Sequence, residues 1–346
     1  MKIIIDAMGG DNAPRSNVEG ALSAVRELGV ECVLVGQGDE ILAALRELGC
    51  DAPPPGLEIV HASEVVTMED NAATAFKEKK DSSLTVGLNL VKDGKGDAFV
   101  SAGSTGALLS AATLVTKRIR GIRRAAMAPQ LPVPGGAILI DAGATAECTP
   151  EYLLQFAFMG SYYAEHIQGK PQPRVGLLNI GAEEGKGTAL QKETHALLKK
   201  ADEEGRIHFT GNVEAREAVL GAVDVIVADG YSGNIFLKTL EGTALFLAGE
   251  MKKMFKKNLL TKLSAVMVSS GIRDFKKLLD SREVGGTALL GISRPVIKAH
   301  GSSDGYAIRN AIAQAAKFAS SGIIESVTEN IEYMRLPVMK EEAEKI

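Results

Sequence analysis

The sequence has no tryptophan, three cysteines and few aromatics, 5% of its 346 residues, and each shortage removes a class of protein. Cys32, Cys50 and Cys148 are odd in number, far apart and without a C-x-x-C pair, so neither a disulfide scaffold nor a cysteine zinc site is expected, and a reducing compartment suits them. No stretch reaches the roughly 18 apolar residues that a membrane span needs. The opening run Lys2-Ile3-Ile4-Ile5-Asp6 is too short for a signal segment and leads into a glycine turn. Positive charge is not in excess either: the formal net charge is -4, which leaves no global basic field and argues against nucleic acid as a partner. The five histidines show no H-x-x-x-H or H-E-x-x-H spacing, and no G-x-S-x-G elbow is present, so a metal hydrolase and a serine hydrolase are both disfavoured. What is there, 45% hydrophobic and 24% charged residues, is the balance of an ordinary cytoplasmic globular protein with a sizeable core.

Short apolar runs recur, each followed by a helical pattern: Ile3 to Ile5, Cys32 to Val35, Leu57 to Val60, Ala98 to Val100, Ala137 to Ile140, Val175 to Ile180, Ile207 to Thr210 and Val223 to Ala228. Continuous runs suit strands buried on both faces, and alternation with helices implies parallel pairing. The expected fold is therefore α/β, a doubly wound, mostly parallel sheet between helix layers, as one domain over residues 1-324. Residues 239 to about 282 break the rhythm with an unbroken helical pattern and read as an inserted helical hairpin. Residues 325-346 read as a polar tail on the surface.

Ligands of open parallel sheets bind outside the carboxyl ends of the strands, and here the loops after the strands are rich in glycine. They carry Asp6, Gly9, Gly10 and Asp11; Ser101, Gly103, Ser104, Thr105 and Gly106; Asp141; Asn179 with Lys186; Asp229, Ser232, Gly233 and Asn234; and His300 with Ser302. Glycine lets backbone N-H groups close on an anion, and a helix that starts just after adds the positive end of its dipole. Such loops predict a phosphate site, with the Ser101 to Gly106 loop the strongest because it stacks three hydroxyls among its glycines. The same glycines also serve turns that bind nothing. Gly181 to Thr188 resembles a P-loop but has three residues between its glycines instead of four, and glycine where the magnesium-binding hydroxyl belongs. Lys186 within it is a cation between two glycines, placed to meet a phosphate oxygen. Cys148 has no base near it in sequence to make it an acyl-carrying nucleophile. His300 either meets phosphate or braces the Ser302 to Asp304 turn.

Taken together, Asp6-Ala-Met-Gly-Gly-Asp11, Ser101-Ala-Gly-Ser-Thr-Gly-Ala107, Gly211-Asn-Val-Glu-Ala-Arg216, Asp229 to Asn234 and Lys298-Ala-His-Gly-Ser-Ser-Asp304 resemble, in order and spacing, the PlsX family of bacterial phosphate acyltransferases. The resemblance runs from Met1 to about Ile324, with Asn12 where relatives often carry histidine and Ser104 where they often carry asparagine. It implies a fold like that of phosphotransacetylases and isopropylmalate-type dehydrogenases, a homodimer, and no metal or organic cofactor. It also implies the exchange of the carrier of a fatty acyl-[acyl-carrier-protein] for inorganic phosphate, a first step toward phosphatidic acid, with Lys186 and Asn234 as the catalytic pair. The next user of an acyl phosphate would be a membrane glycerol-3-phosphate acyltransferase. A short-chain phosphotransacetylase, a nicotinamide dehydrogenase and a non-catalytic carrier scaffold remain the other readings.

One stretch points to a surface. From Glu250 to Asp280 there are eight basic residues against three acidic, among Met251, Met254, Phe255, Leu259, Leu260, Leu263, Val266, Met267 and Val268. Apolar and cationic residues in one helical stretch suit an anionic membrane surface, a dimer partner or an acidic carrier protein. The expectation is dimer contact at the hairpin's base and peripheral membrane contact at its tip.

Overall fold

The computed structural model describes residues 1-336, and its strands form two sheets. Seven strands, β1 (Lys2–Asp6), β2 (Glu31–Gly36), β3 (Leu57–His61), β4 (Ala98–Ser101), β5 (Ala126–Ala128), β10 (Gly286–Leu290) and β11 (Val296–Ala299), make the first, in the order β3-β2-β1-β4-β11-β10-β5. Four more, β6 (Ile138–Ile140), β7 (Arg174–Leu178), β8 (His208–Val213) and β9 (Val225–Val227), make the second, in the order β6-β9-β7-β8 and all parallel. In the first sheet only β10 runs against its neighbours.

Most of the apolar runs form strands covered on both faces, the edge strands β3 and β8 being partly open. Ile3 and Ile5 enter one core while Ile4 enters another, and Cys32 with Leu34 and Val33 with Val35 divide in the same way. In the second sheet Ile138 and Ile140 face the first core, and Leu139 joins a third cluster with Ile226 and Val213. A strand with every residue buried reads as an unbroken hydrophobic run. All eight runs are strands. β5, β10 and β11 carry no such run, since they are short and hold alanine, glycine or, in β11, a lysine. The expected sheet is thus divided in two.

The helical stretch begins earlier than its pattern suggests. A helix of 27 residues, Gly230–Lys256, starts at the end of β9 and runs outward, followed by Leu259–Met267 and Ser269–Leu279. At 1.5 Å per residue the first spans roughly 40 Å. Only Gly230 and Gly233 of it are buried, and no residue of Leu259–Met267 is. At the other end the expected surface tail needs correction. Residues 323-334 form the helix Ile323–Glu329 and a 3-10 turn whose Val327 and Met334 are buried, because Gln155 Nε2 donates to the Met334 carbonyl (3.2 Å) and ties the turn to the core. Residues 337-346 lie outside the described residues.

Candidate active site at two strand-end mouths

Chain order reverses between β1 and β4 in the first sheet and between β7 and β9 in the second, so each sheet has a switch point where loops diverge and leave a crevice. The candidate residues divide between these two mouths.

At the first mouth, Asp6, Ser101 and Lys298 stand side by side on β1, β4 and β11. Ser101 Oγ donates to Asp6 Oδ2 (2.7 Å), and Lys298 is in register with Ser101. Lys298 is 7% exposed; its ammonium donates to the carbonyls of Ala102 (3.3 Å) and Ala299. Burial pushes its pKa down to about 8, against the pull of the Asp6 and Asp11 carboxylates, and burial pushes the Asp6 carboxyl up. The glycine loops close over this row. A Cβ on Gly9 would sit 2.6 Å from Asp6 Oδ2 and 2.7 Å from the Gly103 nitrogen, so only glycine allows the two loops to cross there. Asp11 N donates to the Gly301 carbonyl (2.8 Å), and Gly10 packs on Ala102.

The hydroxyls of the Ser101 to Gly106 loop are not equivalent. The Ser101 proton is committed to Asp6, which leaves that residue no donor for a phosphate. Ser104 Oγ accepts from Ala107 N (3.5 Å) as a helix cap and keeps its proton, and Thr105 is exposed beside Gly106. His300 braces the turn, with Nδ1 on Ser302 Oγ at 2.8 Å. Asn12 Nδ2 reaches the carbonyls of Ser302 and Ser303 (both 3.2 Å).

At the second mouth the acids hold loops. Asp141, fully buried, accepts from four backbone N-H groups: Met127 (2.9 Å), Gly143 (3.2 Å), Ala144 (3.1 Å) and Thr145 (2.7 Å). The substrate contact expected of it is taken up by the chain itself, and through Met127 on β5 it fastens the two sheets together. Asp229 Oδ1 caps the long helix at Ser232 N (2.8 Å), and Asn179 Nδ2 donates to the Lys186 carbonyl (3.2 Å). A Cβ on Gly233 would fall 2.0 Å from the Asp141 carbonyl oxygen, so the first turn of that helix approaches the β6 loop through a glycine.

Lys186 and Asn234 differ from all of these. Both are exposed, and among the described residues neither side chain makes a hydrogen bond or an ion pair. Asn234, in the first turn of the long helix, lies over Gly143, whose Cβ position is 3.5 Å from Asn234 Oδ1. β7 and β9 are neighbours, so the Lys186 loop and the Asn234 turn leave adjacent strand ends, about 4.8 Å apart at the sheet. Two uncommitted donors, one cationic, thus stand on loops that leave neighbouring strands. Cys148 sits near, donating to the Thr145 carbonyl (3.4 Å), but burial pushes its thiol up to about 12, which keeps it protonated and a poor nucleophile.

Among the candidate residues described, no hydrogen bond crosses from one mouth to the other. Sequence reasoning missed Lys298 as a site residue, although the residue stands in a quoted motif; its signal was a lysine flanked by Val296, Ile297 and Ala299 just before a glycine loop. No group of metal-ligating side chains occurs among the described residues.

The model of a family described as fatty acid synthesis protein matches residues 1–326. A phosphate acyltransferase of Alkaliphilus oremlandii is 48% identical over 332 residues, covering 96% of this chain and 97% of its own. One from Clostridioides difficile is 44% identical over 333 residues, covering 96% of each. Among solved structures, a phosphotransacetylase from Streptococcus pyogenes superposes with a TM-score of 0.60 at 19% identity over 94% of both chains. A branched-chain phosphotransacylase from Enterococcus faecalis gives 0.53 at 15% identity, covering 92% of this chain and 98% of its own. These two share the fold.

Proposed function

This chain belongs to the fatty acid synthesis protein family and is a phosphate acyltransferase, and from that premise we propose that it takes a fatty acyl-[acyl-carrier-protein] and inorganic phosphate to acyl phosphate and free carrier. The observation that supports this chemistry is the pair Lys186 and Asn234, exposed and unpartnered at adjacent strand ends. Phosphate is already an anionic nucleophile at neutral pH. A thioester leaves as a thiolate whose acid has a pKa of about 8.5, so neither a strong base nor a strong acid is needed. A phosphate oxygen attacks the carbonyl carbon, the C-S bond breaks, and the sulfur keeps the electron pair. Lys186 holds the phosphate as a point charge, and the Asn234 amide donates to the oxyanion that forms. Proximity contributes about 7 to 11 kcal/mol and one oxyanion donor about 2.7 to 4. No step needs a metal, an organic cofactor or an acyl-enzyme.

The test is release of free carrier thiol from a long-chain acyl carrier thioester. We expect release that requires phosphate. Release without phosphate, or transfer only from short acyl-coenzyme A, overturns the reading.

We further propose that the protein works as a homodimer at an anionic membrane surface, beside a membrane glycerol-3-phosphate acyltransferase that consumes the poorly soluble acyl phosphate. No described helix is long and apolar enough to cross a membrane. What supports surface contact is the hairpin tip, where Leu260 and Val266 are 77% and 71% exposed amid the lysines of residues 252-262. Leu245 and Phe246, nearer the base, are also exposed and suit a dimer partner. In sedimentation with vesicles, wild type is expected on anionic but not neutral lipid, released by salt. Leu260→Glu and Val266→Glu abolish binding while turnover on soluble substrate persists. Absence of binding to either vesicle refutes the membrane contact.

A further inference from the structure

The motif Gly211 to Arg216 has no part in the chemistry above, yet it lines a cleft of about 510 Å³ beside the Lys186 loop. Asn212, near the end of β8, is 8% exposed; its Nδ2 donates to the Glu183 carbonyl (2.8 Å), which anchors the Lys186 loop, while its Oδ1 is buried with no hydrogen-bond partner. Glu217, in the same lining, holds Arg216 through Oε1 (2.7 Å) and leaves Oε2 buried and unpartnered as well. A buried acceptor without a donor is costly, so two in one cleft mark a place built for a ligand that donates. The wall of Ala182 and Glu183 leads to Lys186, whose backbone N-H bonds the Glu183 carbonyl (3.1 Å).

Resting on the acyl-transfer reading, we propose that this cleft binds the pantetheine arm of the acyl donor, with its amide N-H groups on Asn212 Oδ1 and Glu217 Oε2. The arm needs such a groove, because the thioester must reach Lys186 and Asn234 while its far end stays with a bulky carrier in solvent. Its chemistry fits: two amide N-H donors and a hydroxyl along a flexible chain meet orphaned acceptors, whereas an acyl tail would leave them unpaired. Phosphate does not fit, since it would face the Glu183, Glu214 and Glu217 carboxylates, and the cation of the lining, Arg216, is already paired with Glu217 (2.7 Å) and Glu214 (4.0 Å).

The experiment has a binding arm and a kinetic arm, run on wild type, Asn212→Leu and Glu217→Gln. Free pantetheine, titrated without phosphate, is expected to bind wild type and to lose roughly 10-fold or more in each variant. With acyl-pantetheine as donor the variants raise its KM by a similar factor and leave the phosphate KM within about twofold. A thioester of a simple alkanethiol, which lacks the amides, is turned over by Glu217→Gln as by wild type; Asn212→Leu also releases the Glu183 carbonyl that anchors the Lys186 loop, so its effect is read as the ratio of acyl-pantetheine to alkanethiol turnover. Carrier-protein and coenzyme A thioesters share the arm, so both suffer in the variants; the one with the lower wild-type KM identifies the source. Equal pantetheine binding by all three proteins, or none to wild type, overturns the proposal. So does an alkanethiol thioester that loses as much as acyl-pantetheine. If pantetheine binding behaves as expected but wild type transfers nothing to phosphate, the acyl-transfer reading falls and the cleft stands. Glu217→Gln keeps the test decisive should Asn212→Leu fail to fold.

Discussion

Alanine at Lys186 or at Asn234 is expected to lower turnover roughly 100-fold or more, with the folded state intact. The size follows from what each side chain meets. Removing a single preorganised donor from a developing oxyanion costs about 2.7 to 4 kcal/mol, and a cation that holds the nucleophile contributes through position as well as charge. The intact fold follows from their surroundings. Both are exposed and without partners among the described residues, so truncation opens no cavity and orphans no buried group, and stability should change by less than about 0.5 kcal/mol. Steady-state kinetics with phosphate and acyl carrier varied separately, beside a urea melt, checks both halves. Lys186→Ala should raise the phosphate KM as well as lower kcat, whereas Asn234→Ala should act on kcat, because its partner exists only in the transition state. Near-normal rates in either variant would remove that residue from the mechanism.

Between about pH 8 and pH 10.5 the wild type is expected to gain up to about 3 kcal/mol of stability relative to Lys298→Met. Burial lowers the Lys298 pKa to about 8 in the folded protein, while in the unfolded chain the amine titrates near the usual value of about 10.4. Within that window the unfolded state binds more protons, so unfolding becomes harder as pH rises. Below pH 8 both states are protonated, and the cost of the buried ammonium is present in full. The thiols of Cys32 and Cys148, pushed up to about 12, and the Tyr163 phenol, likewise at about 12, pull the other way, since their unfolded counterparts release protons first. They are common to both proteins and cancel in the difference. Urea denaturation at half-unit steps of pH, wild type against variant, gives the curve. Parallel curves would mean that water reaches the amine and that the first mouth is more open than its glycine crossing implies.

Lys298 also marks the limit of sequence reading here. β11 was not legible as a strand because Val-Ile-Lys-Ala breaks the apolar run, and the break is the buried lysine itself, satisfied by the carbonyl of Ala102 in the loop after β4 and by that of Ala299 beside it in β11. The hydroxyl-rich loop was legible as a strand-to-helix turn. Its Ser101 was not legible as spent, since that depends on Asp6, 95 residues away. In the same way Asp141 read as a ligand residue, but the four N-H groups that occupy it come from its own loop and from β5.

The sequence by itself determined the eight strand runs, the glycine turns after them and the exposed basic hairpin. Those are local patterns, and a strand covered on two sides seldom admits a polar residue to disguise it. Only the tertiary structure decided that there are two sheets, each with its own switch point, and which polar side chains are free. A carboxylate or hydroxyl is spent or available according to what the fold sets against it, and hydrogen bonds between residues far apart in the chain leave no periodic trace. That is why Lys186 and Asn234, already singled out in the sequence, are seen to be uncommitted only beside the occupied Asp6, Asp141, Asn179 and Asp229, and why the unpaired oxygen of Asn212 could be found only in the folded protein.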